Sequence, residues 1–220
     1  MGKRILITGA SGMTGGLVLK NAIESNQTEE VISLVREISG KTEPKVKEIV
    51  VEDFADYSVV SDSFKNVDAA FFCIGVYAGS VSDEAFKKVT FDFAVNFAKT
   101  LKENSPSSTL CLLSGGGADR TGKSRFSFAK YKGMAEERIS QMGLKFYVFR
   151  PGYIYPVTPR KEPDFSYRML RFMYPVIKRL GAKISIKSTE LAAAMFKAGI
   201  SGADKEILEN ADILHLIKSN

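Results

Sequence analysis

The sequence predicts an α/β fold built on a doubly wound parallel sheet. Short apolar runs alternate along the chain with amphipathic segments of helical length, which is the pattern of repeated strand–helix–strand units. The runs at 3–8, 68–74 and 109–113 are almost continuously apolar, as expected for strands that are covered on both faces. The chain has 220 residues and shows no internal repeat or linker, so we expect a single domain over 1–220.

A glycine-rich turn follows the first apolar run and opens the first predicted helix. Glycines at 9, 12 and 15 form a GxxGxxG pattern. Gly9 allows a tight turn, Gly12 lets the backbone approach a pyrophosphate, and Gly15 lets helix and strand pack closely. Because a strand precedes the pattern and a helix follows it, the segment predicts a dinucleotide site in a Rossmann-like domain. We assign its cofactor contacts to Gly9, Ser11, Gly12, Met13, Thr14 and Gly15.

The ends of the later strands supply the remaining candidate contacts. Apolar runs at 30–36, 46–52 and 145–149 complete the predicted sheet, with a short helix at 57–65 and a longer one from a Ser82 cap to about Asn104. Parallel strands present their carboxyl ends along one edge, where ligands bind. At that edge we expect further cofactor contacts from Arg36, Asp53, Phe54, Gly75, Pro151 and Gly152.

Arg36 determines the predicted choice of cofactor. It follows the second strand, at the place where a dinucleotide fold meets the adenosine ribose and where an NAD site usually has Asp or Glu. A guanidinium group binds a 2′-phosphate better than it binds a neutral ribose. The sequence therefore predicts that NADP(H) is preferred over NAD(H).

Composition bears on whether the protein binds nucleic acid or metal and on where it is located. The net charge of +6 comes from the segment 158–187, which holds eight Lys or Arg and two Asp or Glu, so a general affinity of the domain for nucleic acid is not expected. Cys73 and Cys111 lie in separate apolar runs without metal-ligand spacing, which predicts buried thiols and no metal site. No stretch has the length of a signal peptide's apolar core or a membrane span, so we expect a cytoplasmic protein.

Several motifs occur in an order that resembles one branch of the short-chain dehydrogenases. The chain is similar to the Tat-interacting-protein-like branch of the atypical short-chain dehydrogenases, over nearly its whole length, at Thr8-Gly9-Ala10-Ser11-Gly12-x-x-Gly15, Phe72-Cys73-Ile74-Gly75, Gly117-Ala118-Asp119, Lys132-Gly133-x-x-Glu136, Val148-Phe149-Arg150-Pro151-Gly152 and Leu208-Glu209-Asn210. The resemblance implies a Rossmann-like fold with bound NADP(H). Beyond the predicted sheet we expect a small C-terminal substrate-side region, which we place at about 153–187 and 200–220.

The catalytic motif of the wider family is incomplete in this chain. Short-chain dehydrogenases carry Tyr-x-x-x-Lys on one helix face, where the lysine holds the nicotinamide ribose and lowers the pKa of the tyrosine. Lys132 matches the lysine, as a catalytic and a cofactor-binding residue, but Phe128 stands at the tyrosine position. Ser114 matches a strand-end serine and is our second catalytic candidate, whereas Gly115 occupies the usual catalytic serine position. Tyr131 is adjacent to Lys132 and should point about 100° around the helix.

Three functions remain open from the sequence. The first is an NADP(H)-dependent oxidoreductase that acts on a small carbonyl substrate with Lys132 and a displaced acid. Weak candidates for this acid are Tyr77, Tyr153 and Tyr155, which we place in loops on the ligand side of the sheet. The second is a sensor or regulator that binds NADP(H) with little or no chemistry. The third is an interaction protein that uses the basic segment 158–187, where Arg168, Arg171, Lys178 and Arg179 could meet a protein partner or, less favoured, an anionic membrane surface.

Overall fold

A computed structural model describes residues 2–157 and 184–218 of the chain. Its strands are β1 Lys3–Thr8, β2 Thr28–Val35, β3 Val46–Val50, β4 Ala69–Phe72, β5 Thr109–Leu113, β6 Lys145–Arg150, β7 Tyr153–Tyr155, β8 Ser185–Lys187 and β9 Ile207–Glu209. Its helices are α1 Met13–Glu24, α2 Asp83–Lys87, α3 Phe93–Asn104, α4 Ser127–Ser140, α5 Ser188–Ser201 and α6 Asn210–Leu216, with a 3₁₀ helix at Ser58–Phe64 and a π-helical turn at Lys88–Asp92.

The main sheet has the strand order β3-β2-β1-β4-β5-β6-β9, and all its neighbouring strands pair in parallel. The order reverses between β1 and β4, so the loops after these two strands diverge and leave a crevice at their carboxyl ends. The predicted doubly wound α/β fold is confirmed. This arrangement fixes where a dinucleotide would enter.

Each face of the sheet carries its own apolar core. On one face, side chains of α3 and α4 pack against the strands, with Phe64, Phe97 and Leu110 fully buried among them. On the other face, α1, α5 and α6 cover the sheet, and Leu191, Met195 and Ile213 are fully buried there. Because both faces are covered, the central strands are apolar throughout, which is the signal that the sequence shows.

The C-terminal residues join the main sheet. Residues 207–209, which we placed in a substrate-side addition, form the edge strand β9 beside β6. Residues 153–155 pair in parallel with 185–187 as a separate two-stranded sheet. The sequence also predicts one or two helices over 163–181, interrupted at Pro175; these residues, and most of the basic segment 158–187, lie outside the described residues.

Candidate cofactor and substrate site

The glycine turn has the backbone geometry that its spacing predicts. Gly9 adopts a φ of +80°, and a Cβ at this position would stand 2.6 Å from the carbonyl carbon of Cys73. A Cβ on Gly15 would collide with the carbonyl oxygen of Gly9, so helix α1 can approach β1 only without a side chain there. Strand, turn and helix are therefore held together closely at the crevice.

The start of α1 is open towards the crevice. Its N-cap is Gly12, which contributes no side-chain hydrogen bond to the helix. A Cβ on Gly12 would meet only the carbonyl oxygen of Gly9, at 3.2 Å, so the outer side of this residue is open. Backbone N–H groups at a helix start attract phosphate oxygens, and the helix dipole adds to this attraction. The turn fits a pyrophosphate, with the exposed Ser11 and the first residues of α1, Met13 and Thr14, beside it.

Arg36 lies one residue beyond β2, on the same edge of the sheet as the glycine turn. Its side chain is exposed and forms no hydrogen bond or ion pair with any residue in the described ranges. Glu30, five residues before the end of β2, is instead paired with Arg4 at 2.9 Å. The guanidinium group of Arg36 is therefore available to a ligand at this edge.

Asp53 and Phe54, two other predicted cofactor contacts, differ in whether their side chains can reach a cofactor. The Asp53 carboxylate accepts a hydrogen bond from the Ala55 amide at 2.9 Å and lies 3.5 Å from the Lys88 ammonium. The Phe54 ring is buried and packs against Tyr57 and Phe93, so its side chain belongs to the core. Only the backbone of Phe54 can face a cofactor, a distinction that the sequence does not show.

A loop after β6 forms the far side of the crevice. The Pro151 carbonyl accepts a hydrogen bond from the Gly116 amide at 2.9 Å, which ties the loops after β5 and β6 together. The Gly152 amide donates to the Asn210 side chain at 2.8 Å, and Asn210 in turn donates to the Ser185 carbonyl at 2.9 Å. Asn210 therefore fixes this loop against both small strands, which explains the Leu208-Glu209-Asn210 motif. Gly75, after β4, is exposed with open space around it.

Lys132 lines a small cavity at the carboxyl ends of β4 and β5. The cavity is bounded by Thr90 of the π-helical turn, by Ser114, and by apolar side chains at Phe72, Ile74, Leu112, Leu113 and Ala135. Burial lowers the pKa of Lys132 to about 8, although the nearby Glu136 opposes the shift. The Lys132 ammonium has no hydrogen bond or ion pair within the described ranges, and it lies 5.4 Å from the centre of the Phe128 ring. The predicted placement of Lys132 beside the crevice agrees with this geometry.

Phe128 and Gly115 fit each other sterically. A Cβ built on Gly115 would stand 2.5 Å from Cζ of the Phe128 ring. The ring thus occupies the space above Gly115 and is 36% exposed at its outer side. The family's tyrosine and catalytic serine positions are therefore both without hydroxyl groups here, and the ring fills the space that a serine side chain would need.

Ser114 is bound into a buried charge network. Its hydroxyl donates to the Glu136 carboxylate at 2.5 Å, and Glu136 is fully buried. Arg150 and Arg120 pair with the same carboxylate at 2.5 Å and 3.2 Å. The hydroxyl that we assigned to catalysis thus donates to a protein carboxylate. The sequence motifs contain Glu136 and Arg150, but nothing in them indicates that these two residues and Ser114 form one network.

The four tyrosines considered from the sequence lie on different elements of the structure. Tyr131 donates to Asp83 at 2.6 Å, on the side of α4 that faces α2, as its position next to Lys132 predicts. Tyr153 and Tyr155 lie on strand β7 rather than in a loop, because residues 153–155 pair with 185–187. Tyr77 lies in the loop after β4. Among the described residues, the cavity lining does not include Tyr77, Tyr153 or Tyr155.

Residues 9–179 match a family described as NAD(P)H-binding. The chain belongs to this family. Over 223 residues it is 26% identical to Protein HTATIP2 of Rattus norvegicus, covering 99% of this chain and 90% of that protein. It is 33% identical over 154 residues to the mitochondrial Protein FMP52 of Debaryomyces hansenii, covering 66% of this chain and 64% of that protein. The predicted resemblance to the atypical short-chain dehydrogenases is confirmed.

The fold is also similar to solved structures of distant proteins. The enzyme WbmH of Bordetella bronchiseptica, solved in complex with NAD⁺, superposes with a TM-score of 0.71 over 95% of this chain and 75% of that one, at 16% identity. This likeness confirms the Rossmann-like fold. The family match shows that residues 9–179 belong to an NAD(P)H-binding domain.

Two further properties concern the described ranges only. Within 2–157 and 184–218, no helix has both the length and the apolar character needed to cross a bilayer. The same ranges contain no cluster of His, Cys, Asp and Glu side chains that could ligate a metal ion. Cys73 and Cys111 are buried thiols, as predicted, and burial raises the pKa of each.

Proposed function

We propose that this protein binds NADP(H) in preference to NAD(H) and reduces a small carbonyl compound slowly. The carrying observation is the exposed Arg36, which has no partner within residues 2–157 and 184–218, at the edge that also holds the start of α1 without a side-chain cap. The glycine turn accounts for the pyrophosphate, and Arg36 for a 2′-phosphate on the adenosine ribose. When bound, the reduced nicotinamide would supply hydride, and Lys132 would hold its ribose at the cavity.

Slow turnover follows from the chemistry of the cavity. A positioned general acid typically contributes about 10²–10⁴-fold to the rate of a reaction of this kind. Phe128 has no hydroxyl, and the Ser114 hydroxyl is held by Glu136. A bound carbonyl would therefore meet mostly apolar side chains, which exclude water, and the tyrosine phenol that the wider family uses as its acid is missing.

A second candidate is a sensor or regulator that binds NADP(H) without turnover. The observation that favours it is the Phe128–Gly115 contact, because both hydroxyl-bearing positions of the family's site are apolar together. The two candidates share cofactor binding and differ only in chemistry. A panel of aldehydes, ketones and quinones, assayed by NADPH absorbance with a no-enzyme control, separates them.

Calorimetric titration tests the cofactor assignment. An arginine hydrogen bond to a charged phosphate is worth about 1.5–3 kcal/mol, so Arg36→Ala should weaken NADPH binding about tenfold to a hundredfold and leave NADH nearly unchanged. Arg138→Ala is the matched control, because Arg138 is exposed in the last turn of α4, at the opposite end from the crevice. Equal affinities of the native protein for NADPH and NADH, or no effect of Arg36→Ala, would contradict the proposal.

A further inference from the structure

The cavity raises the question of which group protonates the substrate oxygen. Tyr131 donates to Asp83 on another side of α4, and the Ser114 hydroxyl donates to Glu136. Phe128 carries no proton that it could donate. Among the described side chains that line the cavity, this leaves the Thr90 hydroxyl and the Lys132 ammonium. A hydroxyl of threonine is a far weaker acid than an ammonium group.

The surroundings of Lys132 leave its ammonium free to act. Glu136 lies one turn further along α4, but its carboxylate accepts from Ser114, Arg120 and Arg150. Lys132 itself makes no hydrogen bond or ion pair in the described part of the chain, and its ammonium lies over the Phe128 ring. An ammonium group with unsatisfied donors beside a largely apolar cavity needs an acceptor from a ligand.

We propose that Lys132 is itself the proton donor for carbonyl reduction in this protein. The inference rests on the proposed function. As hydride reaches the carbonyl carbon from the reduced cofactor, the π electron pair of the C=O bond moves to the oxygen. An Nζ–H bond of Lys132 breaks, and its proton passes to that oxygen. The products are an alcohol, the oxidised cofactor and a neutral amine, which regains a proton from water.

The acidity of Lys132 supports this role. Burial lowers its pKa to about 8, against 10.5 for an ordinary lysine. General acids work best when their pKa lies near the working pH. The apolar lining of the cavity supplies no phenol as an acid, but by burying Lys132 it makes the ammonium group a stronger acid.

Replacing Lys132 with arginine tests whether the residue acts by donating a proton or only through its positive charge. Lys132→Arg keeps a cation beside the cofactor but cannot give up a proton near neutral pH. We expect its NADPH affinity to stay within about fivefold of native, while turnover on the best carbonyl of the panel falls about a hundredfold or more. Lys99→Arg is the matched control, because Lys99 is exposed on α3 and paired only with Glu103. Turnover of Lys132→Arg within threefold of native would overturn the inference.

The pH profile and a direct titration add independent readouts. Native kcat/KM for reduction should be level below about pH 8 and fall about tenfold per pH unit above it. Acetic anhydride labelling, read by peptide mass spectrometry at a series of pH values, should give Lys132 a midpoint near 8, well below that of Lys99. A midpoint for Lys132 equal to that of Lys99 would overturn the inference.

Failure of this inference can be told apart from failure of the proposed function. If the native protein binds NADPH tightly but reduces no carbonyl on the panel, Lys132 is not a proton donor, and cofactor binding stands. If NADPH does not bind, the proposed function itself fails.

Discussion

The ring of Phe128 lies directly over Gly115, so close that a Cβ on Gly115 would stand 2.5 Å from the ring Cζ atom. Both residues lie where the wider family places hydroxyl groups, and each restricts the other. A serine cannot be restored at 115 while the ring keeps its place. Gly115 is buried, although the ring is 36% exposed, and overpacking of a tightly packed position typically costs about 1–3 kcal/mol.

Gly115→Ser should therefore lower the free energy of unfolding by about 1–3 kcal/mol, measured by urea titration. Adding Phe128→Ala should recover much of that loss, because the colliding ring is removed. Gly75→Ser serves as the control, since no atom lies within 4 Å of a Cβ there. Strictly additive effects of the 115 and 128 substitutions would show that the two residues do not interact.

Glu136 should be the most costly acidic residue to neutralise. It is fully buried and pairs with Arg150 at 2.5 Å and Arg120 at 3.2 Å. Glu136→Gln leaves partly buried guanidinium groups without their counter-charge, so we expect a loss of about 3–5 kcal/mol in chemical unfolding. Glu209→Gln also removes a partner of Arg150, but Glu209 is 52% exposed and the loss should stay below about 1 kcal/mol. Similar losses in the two variants would contradict this ranking.

Lys132 should lower the stability of the native protein at neutral pH. Its pKa is about 8 when folded and near 10.5 when unfolded, so the buried charge is disfavoured at every pH below about 8. Between these two values the unfolded chain holds more protons, and stability rises with pH. Lys132→Met should thus raise the free energy of unfolding at pH 7 by about 2–3 kcal/mol.

The gain from Lys132→Met should shrink as the pH rises from 8 towards 10.5, when the native lysine also becomes neutral. Lys99→Met, on the exposed face of α3, should show no such trend. Urea titrations of the three proteins across this pH range make the comparison. A gain that is constant with pH would mean that it comes from packing rather than charge.

Gly12→Val and Gly15→Ala should fail in different ways. A Cβ at 12 meets only one backbone oxygen, at 3.2 Å, so the variant should fold but lose NADPH binding. A Cβ at 15 collides with the Gly9 carbonyl, so even alanine should cost about 1–3 kcal/mol of stability. Circular dichroism melts and cofactor titration distinguish the two. Tight NADPH binding by Gly12→Val would remove the turn from the site.

The sequence predicts the parts of the site that depend on local backbone or spacing. The strand–turn–helix at Gly9 to Gly15 follows from residue type alone, because only glycine tolerates those approaches. The relation of Lys132 to Phe128, and the turning of Tyr131 away from both, follows from helix geometry. Strand β1 has the predicted bounds, and strands β2 to β6 lie within two residues of theirs.

Long-range side-chain pairing was not predictable from the same residues. The Ser114 hydroxyl could have faced the cavity or the protein, and Glu136, 22 positions away, decides this by accepting its hydrogen bond. Phe54 follows a strand end but turns its ring into the core, because Tyr57 and Phe93 offer it an apolar surface. Strand β9 is short, and only its pairing with β6 shows that it belongs to the main sheet.

Helices α2 and α3 form one continuous helical segment, and the π-helical turn at Lys88–Asp92 between them sets how the face of one is rotated relative to the face of the other. A π turn holds one residue more than an α-helical path would need, so the faces before and after it are rotated by about 100° relative to an unbroken helix. Before the turn, Asp83 reaches Tyr131 on α4; after it, Phe97 is fully buried in the core. Deleting one residue of the turn would make the segment a regular α-helix. Only one of the two faces could then keep its present contacts. The length of this segment, rather than the identity of any one of its residues, therefore sets how the contact with α4 is joined to the buried face of α3.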